Sequence, residues 1–314
     1  MGDVDPLATL PEEVKRSLTD SPRWLPSKFH YDARGSEIFE EITRLPEYYP
    51  TRTELGILEV VSDAIVEEAK PQTLIEYGSG SASKTRAILD AMRRAGRLVG
   101  YGAIEVSEAA LRGSAEVLLA RYPGMRFEGV VADFENDVEL PFEGLPRLIL
   151  FLGSTIGNLT DDKAVEFLRS VADRMAPEDR FLVGFDLIKD AHVLEAAYND
   201  SAGVTEQFSL NLLSVLNREL DADFDVADFR HVAVYDRSEH RIEAYVVARR
   251  PVTVRVAGLN LEFELAEGGR IRTEYSHKYS RESVESLLRE AGLELLRWET
   301  DARGYFGVAL TARS

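Results

Sequence analysis

The sequence predicts an α/β protein, a Rossmann-like seven-stranded sheet with an inserted α+β lobe. Strand and helix patterns alternate between about residues 55 and 190, as a parallel sheet with crossover helices requires. A turn that contains Gly78 and Gly80 joins the first of these strands to a helical pattern. The chain ends in two strand patterns separated by a short turn, which predicts that an antiparallel hairpin completes the sheet.

The elements of this sheet follow one another in a regular order. Apolar runs predict five strands, at 74–77, 98–104, 127–131, 148–152 and 181–185. Amphipathic spacing predicts the accompanying helices, at 55–69, 83–95, 107–121 and 161–175. Near the chain end Ser280 is suited to cap a helix over 280–291, and strands are predicted at 293–300 and 305–312.

The stretch between the fifth strand and the last helix has a different pattern. A helical segment over 190–217 leads into alternating apolar residues, which predict antiparallel strands at 229–236, 241–249, 252–256, 259–265 and 269–275. We therefore expect two domains. Residues 1–190 plus 278–314 form the sheet domain, and residues 191–277 form an inserted lobe that binds the substrate.

Composition limits the class of ligand and the cellular location. A formal net charge of −18 argues against binding nucleic acid or an anionic membrane, because both need positive charge to neutralise phosphates. The chain has no cysteine, which excludes disulfides and thiolate chemistry. The N-terminus lacks a basic flank followed by an apolar run, and no stretch approaches the roughly 20 apolar residues that span a bilayer. We expect a cytoplasmic protein with a small-molecule substrate.

The glycine turn predicts a nucleotide-binding loop. Gly78 and Gly80 can adopt backbone angles that are closed to other residues, so the main chain can approach a ligand closely. Glu105 ends the next strand about 25 residues further on, where a carboxylate can bind the two hydroxyls of a ribose. These features predict an adenosine cofactor. The alternative is that the two glycines only turn the chain.

Two details favour S-adenosylmethionine over a nicotinamide cofactor. Ala82 stands where the dinucleotide fingerprint has its third glycine, and the third strand ends in Asp133 and Phe134, an acidic–aromatic pair that could face an adenine. A nicotinamide-dependent oxidoreductase stays an alternative, although residues 153–158 after the fourth strand offer no acid or lysine for hydride chemistry. A second alternative is a non-catalytic regulator with the same fold.

Five segments carry a resemblance to a known family: Phe29–Ser36 (FHYDARGS), Leu45–Arg52 (LPEYYPTR), Phe151–Leu159 (FLGSTIGNL), Ala197–Asp200 (AYND) and Thr273–Ser276 (TEYS). With these segments the chain resembles, nearly end to end, the histidine Nα-methyltransferases of ergothioneine biosynthesis. The resemblance implies a class I methyltransferase domain and S-adenosylmethionine as the donor, with S-adenosylhomocysteine as the product. It also implies trimethylation of the α-amine of L-histidine to hercynine.

Methyl transfer requires chiefly that a neutral amine is held in line with the donor. An α-amine has a pKa of about 8 in model peptides, so a hydroxyl or an ordered water suffices to carry its proton away. Tyr31 and Tyr48 are the candidate catalytic residues. Tyr31 is followed by Asp32 and Tyr48 lies in a turn bracketed by prolines, so each could present its hydroxyl to the cofactor. The alternative for both is a ring packed in the core.

The resemblance assigns substrate contacts to Tyr48, Gly153, Asn158, Tyr198, Thr205, Ala244, Glu274 and Ser276. Asn158 and Tyr198 would hold the carboxylate, the carbonyl of Gly153 and Tyr31 would lie near the amine, and Glu274 and Ser276 would bind the imidazole nitrogens, with Thr205 nearby. Glu274 and Ser276 alternate on one strand and should share a face. From the residues alone, Asn158 could instead cap a helix, and Glu274 could pair with Arg272 or Lys278 on the surface.

The resemblance assigns the cofactor to Gly78, Ser79, Gly80, Lys84, Glu105, Asp133 and Phe134. Gly78 would contact the amino-acid end of the donor, Lys84 its carboxylate, Glu105 the ribose and Asp133 the adenine. From spacing alone, Lys84 could equally be a solvated residue of the first helical turn.

One departure from the family pattern concerns selectivity. The family carries a methionine where this chain has Ala244, so the substrate pocket is expected to be roomier. Methylation of another α-amino acid, such as tryptophan, is therefore the alternative within the enzyme class. The five histidines show no metal-binding spacing, and we expect surface or locally hydrogen-bonded roles for them and no metal. We expect a monomer that binds histidine and its mono- and dimethylated forms.

Overall fold

The computed structural model describes residues 9–80, 84–106, 108–133 and 138–314. Its α-helices are α1 (Leu10–Thr19), α2 (Ala33–Ile42), α3 (Pro50–Ala69), α4 (Thr85–Arg94), α5 (Glu108–Arg121), α6 (Asp161–Arg174), α7 (Ala191–Tyr198), α8 (Val204–Leu220) and α9 (Arg281–Glu290). Its strands are β1 (Thr73–Tyr77), β2 (Gly100–Glu105), β3 (Arg126–Val131), β4 (Arg147–Phe151), β5 (Arg180–Asp186), β6 (Phe229–Asp236), β7 (Arg241–Ala248), β8 (Val252–Val256), β9 (Leu261–Leu265), β10 (Arg270–His277), β11 (Leu293–Thr300) and β12 (Phe306–Arg313).

The chain divides into two compact units. The sheet unit contains Pro50–Ile188 and Lys278–Ser314, and the second unit contains residues 9–49 and Lys189–His277. Residues 9–49 therefore do not lie with the sheet, which differs from the expected domain of residues 1–190. The reason is visible at Leu25, whose backbone N–H donates to the carbonyl of Arg272 at 2.8 Å and so ties the N-terminal segment to β10.

The sheet unit contains the predicted seven-stranded sheet, with the strand order β11-β12-β5-β4-β1-β2-β3. Strands β1 to β5 are parallel, and β12 pairs antiparallel with β5 and β11. The order reverses at β1, where Tyr77 lies opposite Ile104 of β2 on one side and Phe151 of β4 on the other. In open α/β sheets ligands bind outside the carboxyl ends of the strands at such a reversal.

Both faces of this sheet are covered by helices. All residues of β1 and β4 are buried, and neighbouring residues belong to different hydrophobic clusters, Leu74 to one and Ile75 to the other. Such continuous burial is typical of a parallel sheet between two helical layers. The carboxyl ends of the strands are therefore the part of the sheet that can receive a ligand.

The second unit is built around the three-stranded antiparallel sheet β10-β7-β6 and the hairpin β8-β9. The predicted helix over 190–217 is divided into α7 and α8. Gly203 has φ +72° just before α8, and the carboxylate of Asp200 accepts the N–H groups of Val204 and Thr205 at 2.9 and 2.7 Å. These bonds satisfy the free donors at the start of α8, so a new helix begins there. Among the described helices none has the length and apolar character that crossing a membrane requires.

Candidate active site

The glycine turn follows β1 at the reversal of the strand order. Gly78 and Gly80 have φ values of +67° and +46°, a conformation that side chains disfavour. No described atom lies within 4 Å of the place that a Cβ on either residue would occupy. Ser79 between them is buried. As far as the described residues go, the positions of these two Cβ atoms are therefore unobstructed.

The carboxylate of Glu105 lies beside this loop, where the sequence predicts the acid that binds a ribose. Its Oε2 accepts the N–H of Gly80 at 3.2 Å, and its Oε1 accepts the N–H of Val106 at 3.0 Å. The carbonyl of Glu105 accepts the N–H of Ala132 at 3.1 Å, and the half-buried Asp133 follows Ala132 just beyond the end of β3. The predicted donor contacts thus come from the adjacent ends of β1, β2 and β3. Phe134 lies outside the described residues.

The carboxylate of Glu76, which lies on β1 just before the glycine turn, is buried. Glu76 accepts hydrogen bonds from the hydroxyl of Thr85 at 2.6 Å and from that of Tyr101 at 2.6 Å. Burial raises the pKa of Glu76 to about 7, although these hydrogen bonds oppose the rise. Glu76 therefore gains a proton within the physiological pH range. The apolar pattern of β1 gave no indication of this role.

Lys84 is not a solvated residue of the first turn of α4. Its ammonium nitrogen lies 2.5 Å from an oxygen of Glu54, whose side chain is fully buried. The N–H of Gly153 donates to both oxygens of the same carboxylate at 2.9 Å. Sequence reasoning did not find Glu54, because an acidic residue near a helix N-terminus is favoured there for electrostatic reasons alone.

The loop after β4 carries two of the predicted substrate residues. Gly153 has φ +81°, and a short 3₁₀ helix, Thr155–Asn158, follows. Asn158 is half-buried at the end of this helix, while Thr160 stands at the N-cap of α6, so Asn158 is not the helix cap. The backbone N–H of Asp186 donates to the hydroxyl of Ser154 at 2.9 Å and fixes this loop against β5.

In the second unit, strand pairing decides which predicted residues share a face. Glu274 lies opposite Ala244 and Ser276 lies opposite Ile242, so both side chains point to the same face as Ala244. The register shifts between Arg272 and Glu274, and Arg272 pairs with Tyr245 on the other face. The bulge thus separates Glu274 from its nearest arginine on the strand.

Tyr198 and Ser276 are joined directly. The hydroxyl of Tyr198, at the end of α7, lies 2.7 Å from the hydroxyl of the buried Ser276. The ring of Tyr48 lies 6.3 Å from that of Tyr198, edge to face. Thr205 is buried in the first turn of α8. The second unit thus brings together residues that are far apart in the sequence.

Tyr31 and Tyr48 belong to one group of aromatic rings. The ring of Tyr31 lies 5.4 Å from those of Phe39 and Phe208, and Phe39 lies 6.2 Å from Tyr48. Both tyrosines are only half-buried, so their packing agrees in part with the alternative of core rings. Sequence reasoning did not find Phe39 and Phe208, because apolar residues at helical spacing are typical of any core.

Comparison with known proteins identifies the family of this chain. A family model described as a histidine-specific, SAM-dependent methyltransferase matches residues 10–313. The chain belongs to this family. The histidine N-alpha-methyltransferase of Mycolicibacterium smegmatis is 47% identical over 305 residues, which cover 97% of this chain and 95% of that protein. Ergothioneine biosynthesis protein 1 of Schizosaccharomyces pombe is 31% identical over 314 residues, which cover 96% of this chain and 40% of that protein.

A solved structure shares the fold of this methyltransferase. The structure of the mitomycin 7-O-methyltransferase MmcR has a TM-score of 0.52 at 18% identity, and the match covers 99% of this chain and 68% of that one. The predicted class I methyltransferase fold is confirmed. Membership of a SAM-dependent family also disfavours the nicotinamide-dependent and the non-catalytic alternatives.

Burial lowers the pKa of two histidines of this methyltransferase, the buried His30 and the half-buried His231. Burial lowers the pKa of His30 to about 4. Burial also lowers the pKa of His231, although its hydrogen bond to the carbonyl of Tyr198 acts in the opposite direction. That bond measures 2.7 Å from Nε2, and Nδ1 lies 2.8 Å from the hydroxyl of Ser209. His231 therefore fixes the end of α7 that carries Tyr198. Within the described ranges no group of acidic or histidine side chains could hold a metal ion.

Proposed function

We propose that this methyltransferase transfers methyl groups from S-adenosylmethionine to the α-amino nitrogen of L-histidine, three times in succession, and so forms hercynine in ergothioneine biosynthesis. The observation that carries the proposal is the shared face of Glu274 and Ser276 beside Tyr198, in a chain of a histidine-specific family. These groups have the donors and acceptors that an imidazole and a carboxylate require.

The loop after β1 and the ends of β2 and β3 are proposed to hold the donor. Glu105 suits the ribose hydroxyls because its carboxylate already faces the loop at Gly80. Lys84 offers an ammonium group that can bind the carboxylate of the donor. The carboxylate of Asp133 can accept a hydrogen bond from the adenine amino group. When bound, the donor supplies a methyl group activated by a sulfonium and leaves as a neutral thioether.

Glu274 and Ser276 are proposed to select the imidazole. A neutral imidazole has one N–H donor and one acceptor nitrogen. The carboxylate of Glu274 can accept from the N–H, while the hydroxyl of Ser276 can donate to the other nitrogen. This pairing disfavours an amino acid whose side chain lacks the N–H donor or the acceptor nitrogen. With such a substrate, Glu274 or Ser276 would be left without a hydrogen-bond partner in the site.

Tyr31 and Tyr48 are proposed to act on the amine. The nitrogen must lose its proton before each transfer, and an α-amine with a pKa of about 8 does so at little cost near neutral pH. A phenol hydroxyl can accept a hydrogen bond from the amine and pass the proton to water, so no strong base is required. Asn158, Tyr198 and the carbonyl of Gly153 would orient the amino acid meanwhile.

Mass spectrometry of the product tests this proposal. Purified protein is incubated with L-histidine and S-adenosylmethionine, and Nα-acetylhistidine serves as the matched substrate whose amine is blocked. The proposal predicts histidine with three added methyl groups and no methylation of the acetylated compound. Methylation of both compounds would place the reaction on the imidazole and contradict the proposal.

Three further points stay predictions: the enzyme needs no metal, it is a monomer and it is located in the cytoplasm. Loss of turnover in the presence of a chelator would contradict the first of them.

A further inference from the structure

Glu54 occupies an unusual place in the sheet unit. It lies in the second turn of α3 and is fully buried, yet its carboxylate contacts groups from two different loops. One is the ammonium of Lys84 at the start of α4, at 2.5 Å, and the other is the N–H of Gly153 after β4, at 2.9 Å from both oxygens. Lys84 is 69 residues from Gly153 in the sequence.

The packing around Glu54 leaves little freedom. A Cβ on Gly184 of β5 would lie 2.1 Å from Oε1 of Glu54, so the carboxylate occupies space that only a glycine leaves. A Cβ on Gly153 would lie 3.1 Å from the ammonium nitrogen of Lys84. Gly153 also has φ +81°, which a side chain would strain. Lys84 and Gly153 are therefore held against each other by one carboxylate.

The charge of Glu54 makes this contact hard to give up. A buried carboxylate without a partner is strongly unfavourable, and Lys84 is the cation that compensates it. The lysine side chain is 18% exposed, whereas the carboxylate is completely enclosed. An ammonium has three N–H donors, so Lys84 can bind a second anion without leaving Glu54.

We propose that Glu54 is a positioning residue that couples the donor site to the histidine site. This inference rests on the proposed function, in which Lys84 binds the carboxylate of the donor and Gly153 lies beside the substrate amine. Because one enclosed carboxylate holds both Lys84 and Gly153, the two groups shift together when a ligand draws on either of them. The ligand that binds first therefore bears the cost of that shift and the second ligand does not, so each ligand raises the affinity for the other.

Calorimetry with S-adenosylhomocysteine, the donor without its methyl group, measures this coupling. The dissociation constant is measured with and without saturating histidine, and the ratio of the two values is the coupling factor. We expect a factor of at least about five in the unaltered protein, and the same factor when the ligands exchange roles. In Glu54→Gln the amide keeps an acceptor for Gly153 but loses the charge that holds Lys84, and we expect the factor to fall below about two.

Asp63→Asn is the matched control. Asp63 also lies on α3 and pairs with a residue of α4, Arg94, at 2.6 Å, but that pair is exposed. The coupling factor should be unchanged in this variant. If Glu54→Gln does not fold, Glu54→Asp keeps the buried charge but shortens the side chain by one methylene, which weakens its contacts with Lys84 and Gly153, and the factor should again fall.

Three outcomes would overturn the inference: a factor of one in the unaltered protein, an unaltered factor in the Glu54 variant that folds, or an equal loss in Asp63→Asn. Failure of the proposed function has a different result, because the unaltered protein would then bind no histidine or form no methylated product.

Discussion

The hydroxyl of Tyr198 lies 2.7 Å from the hydroxyl of Ser276, and this bond joins the end of α7 to β10. The contact links a residue proposed to bind the carboxylate of histidine to one proposed to bind its imidazole. His231 holds the same end of α7 through the carbonyl of Tyr198 at 2.7 Å. Tyr198 is thus held at its hydroxyl by Ser276 and at its carbonyl by His231 without any ligand.

Tyr198→Phe should weaken the binding of histidine without affecting the donor. Loss of a buried hydroxyl partner costs about 1 to 2 kcal/mol, which corresponds to a roughly tenfold rise in KM for histidine. Steady-state kinetics with each substrate varied in turn measures the effect. Tyr235→Phe, which removes the hydroxyl next to His240 on the surface, is the control and should leave both KM values unchanged. An equal rise in both KM values for Tyr198→Phe would assign the tyrosine a structural role instead.

Glu274→Ala should impair histidine use far more than cofactor binding. The imidazole N–H would lose its acceptor in a site built to pair it, and kcat/KM for histidine should fall at least about a hundredfold. Titration with S-adenosylhomocysteine should give an unchanged dissociation constant. Glu264→Ala, an exposed change on the neighbouring hairpin, should alter neither quantity. If both quantities fell together for Glu274→Ala, the residue would support the fold rather than the substrate.

Ala244 is expected to broaden selectivity. It is buried and lies opposite both Glu274 and Ala233, so its size limits the space beside the proposed imidazole site. Ala244→Met should raise the preference for histidine over tryptophan in a competition assay, at a stability cost of about 1 to 3 kcal/mol from the larger side chain. Mass spectrometry of the mixed products gives the preference, and thermal unfolding gives the cost. Equal turnover of histidine and tryptophan by the unaltered protein would remove histidine specificity from the proposed function.

Glu76 should make stability depend on pH. Its pKa is raised in the folded protein from 4.5 to about 7, so the folded state binds the proton more tightly than the unfolded state does. The tighter proton binding of Glu76 in the folded state therefore adds to the free energy of unfolding in full below about pH 4.5, and this contribution is lost as the pH rises through about 7.

Glu76→Gln removes this titration. The free energy of unfolding of the unaltered protein, relative to that of the variant, should decrease on the order of 3 kcal/mol between pH 4.5 and pH 8. Urea unfolding at a series of pH values measures the difference. A difference that is constant across this range would mean that Glu76 is ionised at every pH tested.

Much of the fold was predictable because continuous apolar runs indicate buried strands and alternating apolar residues indicate half-buried ones. The bounds of β6 and β11 agree with the prediction to the residue, and the terminal hairpin is confirmed. The break between α7 and α8 was not predicted, because it depends on Asp200 capping a helix that begins after Gly203. An Asp and a Gly within an amphipathic pattern do not by themselves indicate where a helix stops.

The candidate site was predictable where its residues follow directly from strands. Glu105 could be assigned to the loop of Gly80 because parallel strands align their carboxyl ends. The contacts of Glu54 could not be predicted from the sequence. Its hydrogen bond with Gly153 spans 99 residues and depends on the space left by the glycine at position 184. The N-terminal segment was expected with the sheet domain, and its grouping with the second unit could not be foreseen, because its backbone bonds to Arg272 leave no trace in composition or periodicity.

The most direct test of the account uses S-adenosylmethionine that carries a ¹³C-labelled methyl group, with NMR spectroscopy of the product formed from L-histidine. Trimethylation of the α-nitrogen should give one labelled methyl resonance, since the three groups on a quaternary nitrogen are equivalent, and a correlation from it to the α-carbon of histidine. Labelled methyl signals that correlate with the imidazole ring, or a final product that keeps a proton on its α-nitrogen, would contradict the account.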